Sequence, residues 1–352
     1  MKGTFATAAV ALLVAAPVQA ASVADFYKGK IINVYSGHSK GGAYSAYARL
    51  VARHIGKHIP GNPTAVFRLK PGASGLVLAH WLHDAAPKDG VHIGTFHERI
   101  TIEPMIAPKG IKFDGRDFTW LAALAKNASV CFTWSASGLK TLKDLQAKVV
   151  VAGASGTTAT DAVMARMMNK TLGTKFKIIS GYRGADILLA LERGEVQARC
   201  GFGYPSLKTT RPDWLRDKKI NIIAQLSSVP HPEIPNVPML KDLVKPEHKA
   251  AVELGGATDV FARPYAAPPR IPAKRAAALR TAFQSMVKDK DFLADAQKQN
   301  LEIDPIFGDA MSKEIDKLYK TPKAVAAQVI EFRTPLSDEQ KIKRKKKKKK
   351  AE

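Results

Sequence analysis

IINVYSGHSKGGAYSAYARLVARHI, residues 31–55, decides the fold. Its first six residues form an apolar, strand-like run, and from Tyr44 onward Tyr44, Tyr47, Ala48, Val51 and Ile55 recur at helical spacing. Arg49, Arg53 and Lys57 fall on the opposite side of that helix. Strand and helix are joined by the glycine-rich connection GHSKGGA, residues 37–43. The same arrangement returns at PGASG (71–75), GASGTT (153–158) and GYRGA (181–185), each after an apolar run and before a helical pattern. Alternating strands and helices of this kind predict an α/β fold built in layers. Each loop places unpaired backbone N–H groups at a helix N-terminus, where the helix dipole favours negative charge. Loops at the carboxyl ends of strands in an open sheet share one edge, so all four are expected to line one crevice and hold a carboxylate or similar anion.

Working outward, strand-like runs at 65–69, 93–96 and 120–124 continue the first unit, and runs at 130–134, 149–152, 178–180, 197–202 and 221–226 form a second. Helical patterns at 159–172 and 185–193 belong to the second unit, and those at 272–288, 291–299 and 309–318 are expected to pack back on the first. A chain of 352 residues exceeds what one core usually holds. The expected division is therefore residues 21–122 with 227–335 as one discontinuous domain and 123–226 as the other. Before them, Lys2, the apolar stretch 8–16 and Val18-Gln19-Ala20 read as a signal peptide (1–20) cleaved after Ala20, which places the mature protein in the periplasm. No later segment is apolar enough to span a bilayer.

The formal net charge is +24, and nine of the basic residues crowd into the last stretch, KIKRKKKKKKAE. Residues 336–352 read as a disordered basic tail, either solvated or adhering to an anionic surface. The remainder is still strongly basic and attracts anions over the screening length. Cys131 and Cys200 are the only cysteines. Both lie in strand-like runs of the middle region, and in an exported chain they read as a disulfide or as two buried thiols.

Two further motifs bear on other chemistries. Gly37-His38-Ser39-Lys40-Gly41 matches the G-x-S-x-G elbow of α/β-hydrolases, with Ser39 as nucleophile. Almost nothing precedes its strand to supply an oxyanion hole, and none of His80, His83, His92, His97 and His231 is singled out as base. His54 and His58, four apart, lack the acid of a metal-binding H-E-x-x-H and read as a helix-surface pair. No cofactor motif occurs, so neither a metal nor a cofactor is expected.

Taken in order, SGHSKGGAYSAYARLVARHI, RLKPGASG, APKDGVHIGTF, VVVAGASGTT, ISGYRGADILLALERGEVQARCG and VPHPEIPNVPML resemble the Bug-type extracytoplasmic solute receptors of tripartite tricarboxylate transporters. The resemblance runs from about residue 31 to about 319. It implies a type II periplasmic binding protein, with two Rossmann-like domains joined by crossover strands, that closes on a small carboxylate like a flytrap. It also implies membrane permease subunits as partners, a monomer, no nucleic acid and no catalysis. Carried onto this chain, one grip is Ser39, Lys40, Gly41, Gly42 and Ala43 with Ala73 and Ser74; the other is Ser155, Thr157 and Thr158 with Tyr182, Arg183 and Gly184. Thr157 reads equally as a helix cap, and Thr160 reads more readily as one. Tyr44, Phe96 and Tyr204 are expected as an aromatic wall, and Thr95 stands at the adjoining strand end. The chain departs from the family where Ala43-Tyr44-Ser45 replaces a Pro-Thr-Asp, removing the carboxylate that meets a ligand amine. Lys40, Arg183 and the hydroxyl of Ser74 instead suit a di- or tricarboxylate or an aromatic acid. Sensing rather than transport is a further reading of such a receptor.

Overall fold

The computed structural model describes residues 22–107, 110–157 and 159–335. The signal-peptide reading, Thr158 and the basic tail fall outside the described residues. Among the described residues eleven strands make two sheets: β1 (Ile31–Ser36), β2 (Thr64–Leu69), β3 (His92–Thr95), β4 (Thr119–Ala125), β5 (Ser129–Trp134), β6 (Val150–Ala154), β7 (Phe176–Ser180), β8 (Ala198–Gly203), β9 (Ile220–Leu226), β10 (Ala262–Ala267) and β11 (Ile306–Phe307). The first sheet has the order β11-β4-β10-β3-β1-β2 and the second β7-β6-β8-β5-β9. Within them β2, β1 and β3 run parallel, as do β7, β6 and β8, while β10, β4 and β5 bring antiparallel pairs.

Both sheets are covered on both faces. On the first, Val34, Leu121 and Tyr265 pack with helices Ala43–His54 and Ala273–Met286, and Phe96, Trp120 and Ala266 pack on the other side with Leu78, Leu82 and Met311. That explains β4, TWLAALA, a nearly unbroken buried run rather than an alternating one. On the second sheet, Phe132 meets Ile187, Leu191 and Trp214 on one face, and Cys131, Ala152 and Ala198 meet helix Thr160–Leu172 on the other. Cys131 and Cys200 form a disulfide between the paired strands β5 and β8.

The structure departs from the sequence reading in two places. Strand β10 lies at the centre of the first sheet although ARPYAA reads as no strand. Pro264 has no N–H to give a ladder; it is accommodated because the register shifts at Tyr265/Ala266 and Arg263 takes a left-handed φ of 60°. Second, residues 227–335 do not all pack with the first sheet. Ala251, Val252 and Leu254 of helix Pro246–Gly256, and Ala326, Val329 and Phe332 of helix Lys323–Arg333, share the second sheet's core. Helix Thr160–Leu172 is the cause: residues 161–168 are buried without interruption, so it needs cover on the side away from the sheet. Helices Ala273–Met286 and Gly308–Tyr319 pack on the first sheet, and helix Lys290–Lys298 packs on helix Ala43–His54.

Candidate functional site

The four glycine-rich loops end β1, β2, β6 and β7 and start four helices. After β1, the Gly37 N–H donates to the Thr95 carbonyl at 2.9 Å and Gly42 N–H to the Ser39 carbonyl at 3.0 Å, a tight turn into helix Ala43–His54. After β2, Gly72, Ala73, Ser74 and Gly75 all hold positive φ (147°, 45°, 55° and 94°), so the chain stores backbone strain beside the cavity described below. Helix Leu76–Asp84 follows. Gly42, Gly75, Ala159 and Arg183 occupy the four N-cap positions, and none gives a side-chain cap. By contrast Ser22, Thr141 and Asp289 cap their own helices, which lie elsewhere. Two of the four ends already have an acid in the first turn: Asp161, buried, accepts from Ser155 N–H at 2.9 Å, and Asp186 pairs with Arg183.

The loops line two adjoining cavities between the sheets rather than one. GHSKGGA, through Ser39, Gly41, Gly42, Ala43 and Tyr44, faces Arg183 and Gly184 across a cleft of about 820 Å³. PGASG, through Ala73 and Ser74, faces Ser155 and Gly156 across one of about 400 Å³, and His97 borders both. The first two loops touch back to back, since a Cβ on Gly37 would stand 2.6 Å from the Gly75 Cα.

Several expected contacts lie elsewhere. Thr95 and Phe96 are fully buried, Phe96 among Leu78, Phe118 and Trp120, so Phe96 makes no cleft wall. Tyr204 is also buried, edge-on to His231 with its hydroxyl 3.4 Å from Glu233, and it too is withdrawn from the cleft. Lys40 is exposed and offers only its carbonyl, to Arg49. Thr157 gives its carbonyl to Arg166, and Tyr182 leans on the cluster of Ile187 and Leu188. Thr160 caps nothing; its hydroxyl accepts from Arg99. Arg183 lines the cleft with its guanidinium already on Asp186 at 2.7 Å.

A buried polar cluster at the centre went unread in the sequence. Tyr44 stacks on His38 with ring centroids 4.0 Å apart and donates its hydroxyl to Glu98, which is 1% exposed. His97 Nδ1 stands 3.7 Å from the same carboxylate, and the Arg263 guanidinium lies 4.3 Å from the Tyr44 ring centre. Burial raises the Glu98 carboxyl, but His97, Arg263 and the Tyr44 hydroxyl more than offset it and hold it below its ordinary range. Burial, assisted by neighbouring cations, pushes His38 down to about 3 and His97 to about 4. Beneath them Asp259 accepts from Ser129 N–H at 3.0 Å, and burial with the Glu98 charge lifts it to about 8. Arg199, buried on β8, also borders the cleft, donating to the Gly184 carbonyl at 3.0 Å and lying 4.0 Å from the Phe202 ring centre. A lone arginine in an otherwise apolar strand was the available signal for it. Glu98 brings a carboxylate beside Tyr44 at the cleft, although Ala43-Tyr44-Ser45 carries none. His54 and His58 pair with Asp295 and Asp289, both at 3.0 Å, and the described residues contain no metal-binding group.

The family model for the tripartite tricarboxylate transporter receptor matches residues 47–326. The chain belongs to that family. Solved structures that share this receptor's type II periplasmic binding protein fold include a TctC solute-binding protein from Polaromonas, 18% identical with a TM-score of 0.62 over 86% of this chain and 98% of that one. Another is a Rhodopseudomonas palustris protein, Rpa4515, with adipate (16%, TM-score 0.63, 86% and 96%). A third is MatC of Rhodopseudomonas palustris with bound malate (16%, TM-score 0.62, 85% and 98%). No curated protein matches by sequence. Receptors of this family are periplasmic solute-binding proteins.

Proposed function

We propose that this receptor captures a small organic carboxylate between its two sheet-based lobes and passes it to membrane permease subunits, with no chemistry on the ligand. The carrying observation is the meeting of four helix N-termini, none capped by its own N-cap side chain, at two adjoining cavities. Backbone N–H groups so placed donate to a carboxylate, and Ser39, Ser74 and Ser155 add hydroxyls. Relatives of the same fold solved with adipate and malate support a dicarboxylate as the ligand class. The lobes hinge where β4 leads into β5, where helix Pro246–Gly256 leads towards β10, and where helix Gly308–Tyr319 leads into helix Lys323–Arg333. Ser39 acts as a ligand donor rather than a nucleophile: among the described residues no histidine makes a hydrogen bond with its hydroxyl. Export rests on residues 1–20 with cleavage after Ala20, which the N-terminal mass of the periplasmic protein checks.

A thermal-shift screen of the processed protein against mono-, di- and tricarboxylates and aromatic acids tests the reading. A ligand at 100 times its dissociation constant adds about 2.7 kcal/mol of stability. A saturable shift with one related set is expected, and silence across the panel would remove the proposal. Within the site, Ser74→Ala and Ser155→Ala are each expected to weaken binding about tenfold, the loss of one hydrogen bond to a charged group, with melting unchanged. Calorimetry giving full affinity in both variants would move the site away from these loops.

A further inference from the structure

The smaller glycine-loop cavity, of about 400 Å³, carries a positive charge that nothing on its described wall cancels. Its charged side chains are Arg99, Arg333 and Glu103. Glu103 is taken by Arg333, whose Nη2 and Nη1 donate to its two oxygens at 2.5 and 3.3 Å, a two-point pair that is neutral as a unit. His97, on the same wall, is uncharged at neutral pH because burial holds it at about 4. Arg99 is left over. Its Nη2 donates to the Thr160 hydroxyl, while Nε and Nη1 have no hydrogen-bond partner among the described residues and, unlike Nε of Arg199 and Arg263, are not enclosed. The nearby acids are engaged elsewhere: Glu98 holds the Tyr44 hydroxyl, and Asp259 accepts from Ser129 N–H and keeps its proton up to about pH 8. Burial and the neighbouring Arg333 lower the Arg99 guanidinium from its ordinary value, as expected of a cation short of counter-charge. Neutral donors share the wall. The hydroxyls of Ser74 and Ser155 make no hydrogen bond among the described residues, whereas Ser155 N–H is spent on Asp161 and Val77 N–H on the Gly72 carbonyl at 3.5 Å. The charge that attracts an anion into this cavity therefore comes from a side chain.

We propose that Arg99 is the specificity-determining residue of this receptor: its free N–H groups hold one carboxylate of a dicarboxylate, the Ser74 and Ser155 hydroxyls hold the same group, and the carbon chain leaves past His97 into the larger cleft. This rests on the dicarboxylate reading above and names the side chain that anchors it. A cation left without a counter-charge in a cavity is costly, and a carboxylate that brings one recovers that cost on binding. Ser74 belongs to the first lobe and Ser155 to the second, so a group held by both bridges them. His97 borders both cavities and marks the way from one to the other.

The test is calorimetry on the processed protein with adipate and malate as probes. Arg99→Gln is expected to weaken whichever of them the parent protein binds by at least about thirtyfold, more than either serine variant, because it removes a charge partner inside a cavity. Arg99→Lys keeps the charge without the planar set of donors and is expected to lose about tenfold with the parent's melting curve. Thr160→Val cuts the bond from Arg99 to the second lobe but leaves the guanidinium, and is expected to cost no more than about fivefold. A Thr160→Val loss as large as that of Arg99→Gln would make Arg99 a strut between the lobes and overturn the proposal. Parent-like affinity in either Arg99 variant overturns it too; Ser74→Ala and Ser155→Ala would then still weaken binding if the loops hold the ligand, so the receptor reading is judged separately. Failure of both acids to bind the parent protein removes the dicarboxylate reading, and the role of Arg99 with it.

Discussion

Glu98 and Asp259 are neighbouring buried carboxyls whose surroundings drive them in opposite directions, and the outcome is measurable as pH-dependent stability. Asp259 ionises at about 4 in an unfolded chain and is lifted to about 8 here, first by burial and then by the Glu98 charge. Between those values the folded protein keeps a proton that the unfolded chain has released. Its contribution is therefore complete below about pH 4 and lost as pH rises to 8. His38 and His97 run the other way: burial lowers them to about 3 and about 4, so what they contribute is present above about 6.5 and lost as pH falls. For these three groups together stability climbs from pH 4 to 6.5, where two histidines outweigh one carboxyl, and declines from 6.5 to 8 on Asp259 alone. Urea unfolding across that range is expected to show the decline, and Asp259→Asn to abolish it while steepening the climb. Asparagine keeps the acceptor for Ser129 N–H, so a variant that still loses stability above pH 6.5 would assign the decline to another group.

Among the elements, the decisive contact is that of the first two loops. A Cβ on Gly37 would meet the Gly75 Cα at 2.6 Å, and neither is a flexible side-chain end. Gly37→Ala must therefore part the loops, at about 1–3 kcal/mol, and is expected to lower affinity for the carboxylate at least tenfold. Gly156→Ala is the control, because its nearest neighbour is 3.8 Å away at Ala159. Equal affinities in the two variants would mean the loops do not act as one unit. These loops were legible because each sits between a short apolar run and a helical repeat, a local pattern that composition and spacing reveal. Strand β10 was not, since Arg263 and Pro264 oppose a central strand locally and only the pairing with β3 and β4 accounts for it. Nor was the Tyr44, Glu98 and Arg263 cluster, whose members come from three elements far apart in sequence and meet only in the fold. The cysteines were half legible: adjacency of β5 and β8 joins them across a separation of 69 residues, a closure worth up to about 4 kcal/mol. Reduction is expected to lower the melting temperature, and an unchanged value would leave the strand pairing as the whole of that link.

Across the whole molecule, the side-chain bonds that span the lobes include Arg99 to Thr160, Arg333 to Glu103, Arg263 to Ser206 and Thr209 to the Asn300 carbonyl. If they belong to a closed arrangement, a ligand held by loops of both lobes draws the protein into it only by binding that arrangement better than an open one. If closure is an equilibrium, weakening a latch that no main-cleft ligand touches lowers apparent affinity in proportion to the closed fraction lost. Thr209 is such a latch, for it borders neither cleft of the glycine loops. The one hydroxyl proton of Thr209 is shared between the Pro205 carbonyl at 2.9 Å and the Asn300 carbonyl at 3.1 Å, so Thr209→Val removes at most about 1 kcal/mol between the lobes and is expected to weaken carboxylate binding up to about fivefold. Small-angle scattering should then show the ligand-free variant expanded relative to the parent and the two indistinguishable once saturated. Equal affinity together with equal ligand-free dimensions would show that the lobes stay closed without ligand, and the loops would then have to admit the carboxylate by their own movement.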